Sequence, residues 1–174
     1  MRKAWAPGVA IAVALAALIV FALRELLAPG LERLPGTDSG DLYSWELYTR
    51  SVLATGVLPH WNPFQSLGTP HMADPQTTVL YPLALLLRAL PSLAFLPWMA
   101  AVHIWIAATG MVFLARVVGL TWFAAVSAAV AVAFGASVTP WLRNGHLLLL
   151  YAFAWLPWAL GLAMLSTRRT VGNS

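Results

Sequence analysis

Hydrophobic residues in this chain come in long blocks. Residues 4–23 run apolar without interruption, and further blocks follow at 93–115, 120–139 and 147–165. At about 1.5 Å of rise per residue, a helical block of this kind approaches the roughly 30 Å hydrocarbon thickness of a bilayer. The pattern predicts four membrane-crossing helices. A further apolar piece, "VLYPLALLL" at 79–87, is too short to cross and reads as a re-entrant or interfacial segment. Polar positions gather in a loop at 24–78. The expected fold is an all-α integral membrane protein, a single membrane domain with an external loop that carries an amphipathic juxtamembrane helix.

Small residues recur at helical spacing in two blocks. Gly8, Ala12 and Ala16 share one face of the first, and Ala125, Ala129, Ala133 and Ser137 share one face of the third. Such faces let helix backbones approach closely in lipid, although an alanine-rich composition gives the same pattern. Within the loop, "TDSGDLYSWELYTRSVLATG" predicts a helix capped by Asp38 or Ser39 and ended by Gly56. Leu42, Trp45, Thr49, Val52 and Leu53 would face the membrane surface, while Glu46 and Arg50 pair at i,i+4 on another face. Asp41 falls in the first turn, where the helix dipole favours its ionised form.

Composition agrees with the pattern. The 174 residues are 60% hydrophobic and 9% charged, against about 25% charged in a soluble domain. The net charge of +4 comes from basic residues scattered singly or in pairs, so nucleic acid is not an expected partner. Cysteine is absent, which excludes a disulfide framework and a thiolate metal site. Arg2, Lys3, Arg116, Arg168 and Arg169 fall on one side if all four blocks cross, next to short connections. The six acids all lie between Glu25 and Asp74. The positive-inside rule then puts the N-terminus inside and the loop outside. The first block reads as an uncleaved anchor, because "LRELLAPG" follows it without a small-residue cleavage pattern.

The chemistry-bearing residues cluster in "GVLPHWNPFQSLGTPHMADPQTTVLYP". Prolines at 59, 63, 70, 75 and 82 forbid a regular helix and restrict their neighbours. A chain already restricted loses less entropy when it binds. Trp61 and Tyr81 offer flat faces for a sugar ring or an isoprenoid chain. They also read as interfacial belt residues. Asn62, Gln65 and Gln76 supply donors and acceptors together. His60, His71, Asp41 and Asp74 are the titratable set, and Asp74 before Pro75 is also a turn initiator. Arg143 and His146, in the hairpin "WLRNGH", would meet a phosphate and orient a substrate, or else snorkel to the interface. His103, in the middle of the second block, is either functional or a neutral imidazole bonded to a helix carbonyl.

In order along the chain, "GDLYSWELY", the proline-rich segment, "ARVVGL" and "RNGHLLLLYAFAWLPWALGL" resemble the N-terminal part of the YfhO family of bacterial multi-spanning membrane proteins. That resemblance implies a GT-C type glycosyltransferase fold and a polyprenyl-phosphate-sugar donor. It also implies action on the external face of the cytoplasmic membrane. It casts Asp41 of "SGD" as the catalytic acid-base residue and Asp74 as a second acidic position. His60, Trp61, Asn62, Gln76, Tyr81, Arg143 and His146 would bind substrate, with a divalent cation as an alternative partner for the phosphate. Family members are several times longer than this chain, so a missing C-terminal part or a second membrane subunit is an expected partner besides membrane lipid. The competing expectation is a non-catalytic protein that binds lipid-linked glycan or assists a partner subunit.

Overall fold

The structure, a computed structural model, describes residues 6–28 and 36–171, with side chains as far as Arg168. Arg2, Lys3 and the Arg169 side chain, used above for orientation, lie outside the described residues. All regular elements among the described residues are helical: α1 (Ala6–Ala22), α2 (Arg24–Leu27), α3 (Ser39–Leu53), α4 (Pro82–Leu87), α5 (Ser92–Val117), α6 (Trp122–Phe134), α7 (Val138–Asn144) and α8 (Leu147–Val171). Two 3-10 turns, His71–Ala73 and Pro75–Thr77, punctuate the long loop. Among the described residues three helical stretches are long and apolar enough to cross a membrane: Ser92–Val117, Trp122–Asn144 and Leu147–Arg168. The described part of the first block makes a helix of 17 residues, about 25 Å long. Three helices, against four predicted, therefore meet the length for spanning.

Helix α5 is the axis of the bundle, with α1, α6 and α8 packed around it. Its contacts with α8 rest on two glycines. A Cβ on Gly110 would stand 2.5 Å from the Trp158 ring, and one on Gly161 would stand 2.6 Å from Phe113. Phe113 and Trp158 stack with centroids 5.0 Å apart. Trp158 Nε1 donates to the Ile106 carbonyl at 2.9 Å. The small face of α6 is used as expected, since Ala125, Ala129 and Ala133 are at most 1% exposed. Ser137 departs from it, because it lies beyond the end of α6 and is exposed. On α1, Trp105 of α5 reaches the small face and donates to the Ala12 carbonyl at 2.9 Å. Large apolar side chains on the outer surfaces, such as Val13, Phe21, Phe123 and Leu162, are exposed, as lipid-facing positions would be.

The third block is not one straight helix to Thr139. It breaks after Phe134 and resumes as α7, ending at Asn144. Gly135 adopts an extended backbone with ψ 177°, and a Cβ there would lie 2.2 Å from the Ala131 carbonyl oxygen. The Thr139 hydroxyl donates to the Gly135 carbonyl at 3.2 Å. The same carbonyl accepts from Thr139 N at 3.2 Å, so helical bonding resumes directly after the break.

Up-and-down succession puts residues 36–91, the α7–α8 corner and the start of α8 at one end of the bundle. Arg116 and Arg168 stand at the other, where Arg168 Nη1 donates to the Val117 carbonyl at 2.7 Å. Replacing Gly110 by leucine forces Trp158 off α5. It should cost about 1–3 kcal/mol, read as a lowered unfolding midpoint of the detergent-solubilised protein, whereas leucine at the open Gly40 should not.

Candidate functional site

Helix α3 forms as predicted, but it is rotated from the expected face. Its buried residues are Ser39, Glu46 and Thr49, so Glu46, 2% exposed, lies at the centre of the inward stripe. The i,i+4 pair expected with Arg50 forms, as part of a three-membered cluster that buries the carboxylate. Arg50 Nε donates to Glu46 Oε1 at 2.8 Å, and Arg88 Nε donates to Oε2 at 3.0 Å. Arg88 enters from the end of α4, 42 residues away in sequence. That second cation makes burial of the carboxylate tolerable. Burial pushes the Glu46 carboxyl above its ordinary 4.5, against the pull of Arg88 and Arg50.

Arg88 also orders the loop. Its guanidinium donates to the carbonyls of Thr77, Thr78 and Val79 at 3.2–3.3 Å. Thr78 has φ 51°, a left-handed conformation that is strained for a branched residue. Three successive carbonyls turned towards one guanidinium give the physical compensation. Phe95 lies beneath both cations, with Arg50 and Arg88 5.6 and 5.4 Å from its ring centroid.

Several predicted binding residues prove to hold the loop together. Asn62 is 4% exposed. It pairs with Thr69 in an isolated antiparallel bridge, and its Oδ1 accepts from Phe64 N at 3.0 Å. Asp74 caps the following turn, accepting from Gln76 N at 2.9 Å, which is the turn-initiator reading. His71, 1% exposed, is bonded through Nε2 to Thr49 Oγ1 at 2.8 Å. Its ring meets Tyr48 edge-on at 4.9 Å. Desolvation lowers its proton affinity below the ordinary 6.5, opposed by the Asp74 carboxylate. Trp61 is 55% exposed and sits over Gly68. His60 is exposed on the same loop. Neither Trp61 nor His60 lines the clefts described below.

Tyr81 and His103 belong to one hydrogen-bonded chain inside the bundle. Trp155 Nε1 donates to the Tyr81 oxygen at 2.8 Å, and Tyr81 meets His103 Nε2 at 2.8 Å. His103 Nδ1 lies 2.6 Å from the Met99 carbonyl. A carbonyl only accepts, so Nδ1 carries the proton and Nε2 accepts from the tyrosine. The imidazole is thus satisfied as a neutral group, with the carbonyl belonging to its own helix.

What remains gathers at one cleft. Two glycines with positive φ, Gly36 and Gly145, bring the chain before α3 onto the α7–α8 corner. A Cβ on Gly36 would lie 1.9 Å from Gly145 N, so no larger residue allows the approach. Asp38 N donates to the Asn144 carbonyl at 3.2 Å. Asp38 makes no side-chain cap to α3; its carboxylate lies 3.4 Å from His146 Nε2. The result is a cleft of about 490 Å³ lined by Asp38, Asp41, Trp45, Gln76, His146 and the apolar start of α8, Leu147 to Leu149. A second cleft of about 730 Å³ lies on the other side of α3, lined by Ser44, Tyr48, Ser51, Asn62 and Gln65 among others. Asp41 and Trp45 line both. Arg143 is exposed at the end of α7 and lines neither. Among the described residues no group of three or more His, Cys, Asp or Glu is arranged to hold a metal ion.

Of the expected site residues, Asp41, Gln76 and His146 come together. Glu46, Arg88 and Tyr151, all close to the cleft, were not expected. The sequence signal for Arg88 was a lone cation ending the apolar run 79–87. Compared with known protein families, curated proteins and solved structures, the chain matches none.

Two outcomes test this arrangement. Glu46→Ala leaves two arginines buried without their counter-charge and should destabilise the fold by about 3–5 kcal/mol, measured by thermal unfolding in detergent. For His71 the folded affinity for protons is lowered, so the unfolded chain binds more protons below pH 6.5. Its contribution is therefore complete above that pH and lost as pH falls through the folded value. Amide exchange at residues 69–78, corrected for intrinsic rates, should speed up on acidification in the wild type and lose that pH step in His71→Gln.

Proposed function

We propose that this chain is the N-terminal part of a GT-C type, YfhO-like glycosyltransferase. It would use a polyprenyl-phosphate sugar on the external face of a bacterial cytoplasmic membrane, with the N-terminus inside. The observation that carries the reading is that one carboxylate, Asp41, lines two clefts at once. The first has an apolar wall at the start of a spanning-length helix, which suits a lipid-linked donor. The second is lined by hydroxyl, amide and aromatic groups, which suits a polar acceptor. A base between donor and acceptor is what glycosyl transfer needs.

In that reaction the acceptor hydroxyl gives its proton to Asp41 as its oxygen bonds to the anomeric carbon. The bond from that carbon to the phosphate oxygen breaks, and polyprenyl phosphate leaves with the electron pair. His146, in the donor-side cleft beside Asp38, is positioned to donate a hydrogen bond to the phosphate. Trp45 and Gln76 supply a stacking face and an amide for the sugar.

A second reading has its own support. Among the described residues no arginine or lysine lines the donor-side cleft, so of the groups described there His146 alone could meet a leaving phosphate. A protein that binds lipid-linked glycan without transferring it would need no such cation.

Asp41→Asn separates the two. Assayed in membranes supplied with polyprenyl-phosphate sugars, it should reduce transfer at least about 100-fold while donor binding stays close to wild type. Full transfer by the variant, or no transfer by wild type supplied with its membrane partners, would remove the catalytic reading.

A further inference from the structure

Behind the donor-side cleft lies a much smaller space. It shares Leu42, Gln76, Leu147 and Leu148 with the cleft and is closed by Glu46 and Tyr151. Its volume is about 10 Å³, room for a single hydroxyl-sized group. Tyr151 is 7% exposed, and its hydroxyl is buried with no hydrogen-bond partner. Buried polar groups are nearly always bonded, because the bonds to water given up on burial must be replaced. The space beside this hydroxyl is one that a polar group of a ligand in the cleft can fill.

The phenol is not free to turn elsewhere. The His103 ring stacks on it with centroids 4.2 Å apart, and that imidazole is itself held at both nitrogens by Met99 and Tyr81. Glu46 completes the chemistry of the space. Its oxygens take three guanidinium contacts, at 2.8, 3.2 and 3.0 Å, while a carboxylate offers about four acceptor sites. Neither Arg50 nor Arg88 lines the space, so an entering group meets a carboxylate edge and a phenol. Those partners, a carboxylate oxygen and a phenol oxygen, favour a group that donates.

We infer that this space is a subsite for one hydroxyl of the sugar, which donates to Glu46 and bonds to the Tyr151 hydroxyl. The inference rests on the carbohydrate reading of the cleft and adds to it a determinant of which sugar fits. The position of one hydroxyl on the ring decides whether Tyr151 is satisfied.

The test uses Tyr151→Phe and wild type in lipid nanodiscs. The probes are hexyl glucoside, galactoside and mannoside with their monodeoxy analogues, and binding is followed by titration calorimetry. Wild type should prefer one parent glycoside over one monodeoxy analogue by about tenfold or more. Tyr151→Phe should bind that pair equally, with its affinity for the deoxy analogue unchanged. Its unfolding midpoint should stay at or above that of wild type, because no bond within the protein is lost. If the variant keeps the discrimination, or its midpoint falls sharply, the subsite is wrong while the carbohydrate reading stands. If no glycoside binds either protein, the carbohydrate reading itself fails.

Discussion

A carboxylate in a helix interface must be paired, and Glu46 is paired twice. Arg50 reaches it from the same helix and Arg88 from the end of α4, so one acidic side chain joins α3, the long loop and the approach to α5. The cluster carries one negative and two positive charges. The excess is spread over carbonyls at Thr77, Thr78, Val79 and Arg88 and over the face of Phe95. Carbonyl oxygens and an aromatic face stabilise a guanidinium without adding a full charge. Together with the bond from Thr49 of α3 to His71, this cluster holds α3 in the rotation that turns Asp41 and Trp45 outward to the clefts.

The loop around the cluster is ordered by its own side chains. Asn62, Thr77, Asp74 and His71 spend their polar atoms on backbone or on α3. Several residues whose types suggest ligand chemistry therefore serve as internal bracing. The groups left facing the cleft lined by Asp41, Gln76 and His146 come from three places: the start of α3 with Asp38 before it, the Pro75–Thr77 turn and the α7–α8 corner. A site assembled this way is only as well defined as the bracing beneath it.

Deeper in the bundle, polar groups are few and connected. Trp155, Tyr81, His103 and Met99 form a chain whose hydrogen-bond directions are fixed by a donor at one end and a carbonyl at the other. Fully satisfied networks of this kind hold side chains in one orientation. Here the network also supports the Tyr151 ring from behind, so the bundle interior and the cleft are mechanically linked.

The apolar blocks were legible from residue order alone, because a helix that crosses lipid needs a run of about twenty apolar residues wherever it occurs. The juxtamembrane helix, with Asp38 and Gly56 at its ends, was legible for local reasons as well. So was the irregular course of 56–82, since proline restricts the backbone whatever surrounds it. The break at Gly135, the shortness of the described first helix and the rotation of α3 were not. The apolar spacing on α3 put Glu46 on a different face from Leu42 and Trp45, and its burial depends on an arginine 42 residues away. Tertiary structure alone decided which charges are buried and that Asp41, Gln76 and His146 meet. The reason is that hydropathy and proline act on neighbours along the chain. Ion pairing and cavity shape depend on groups that folding brings together from far apart.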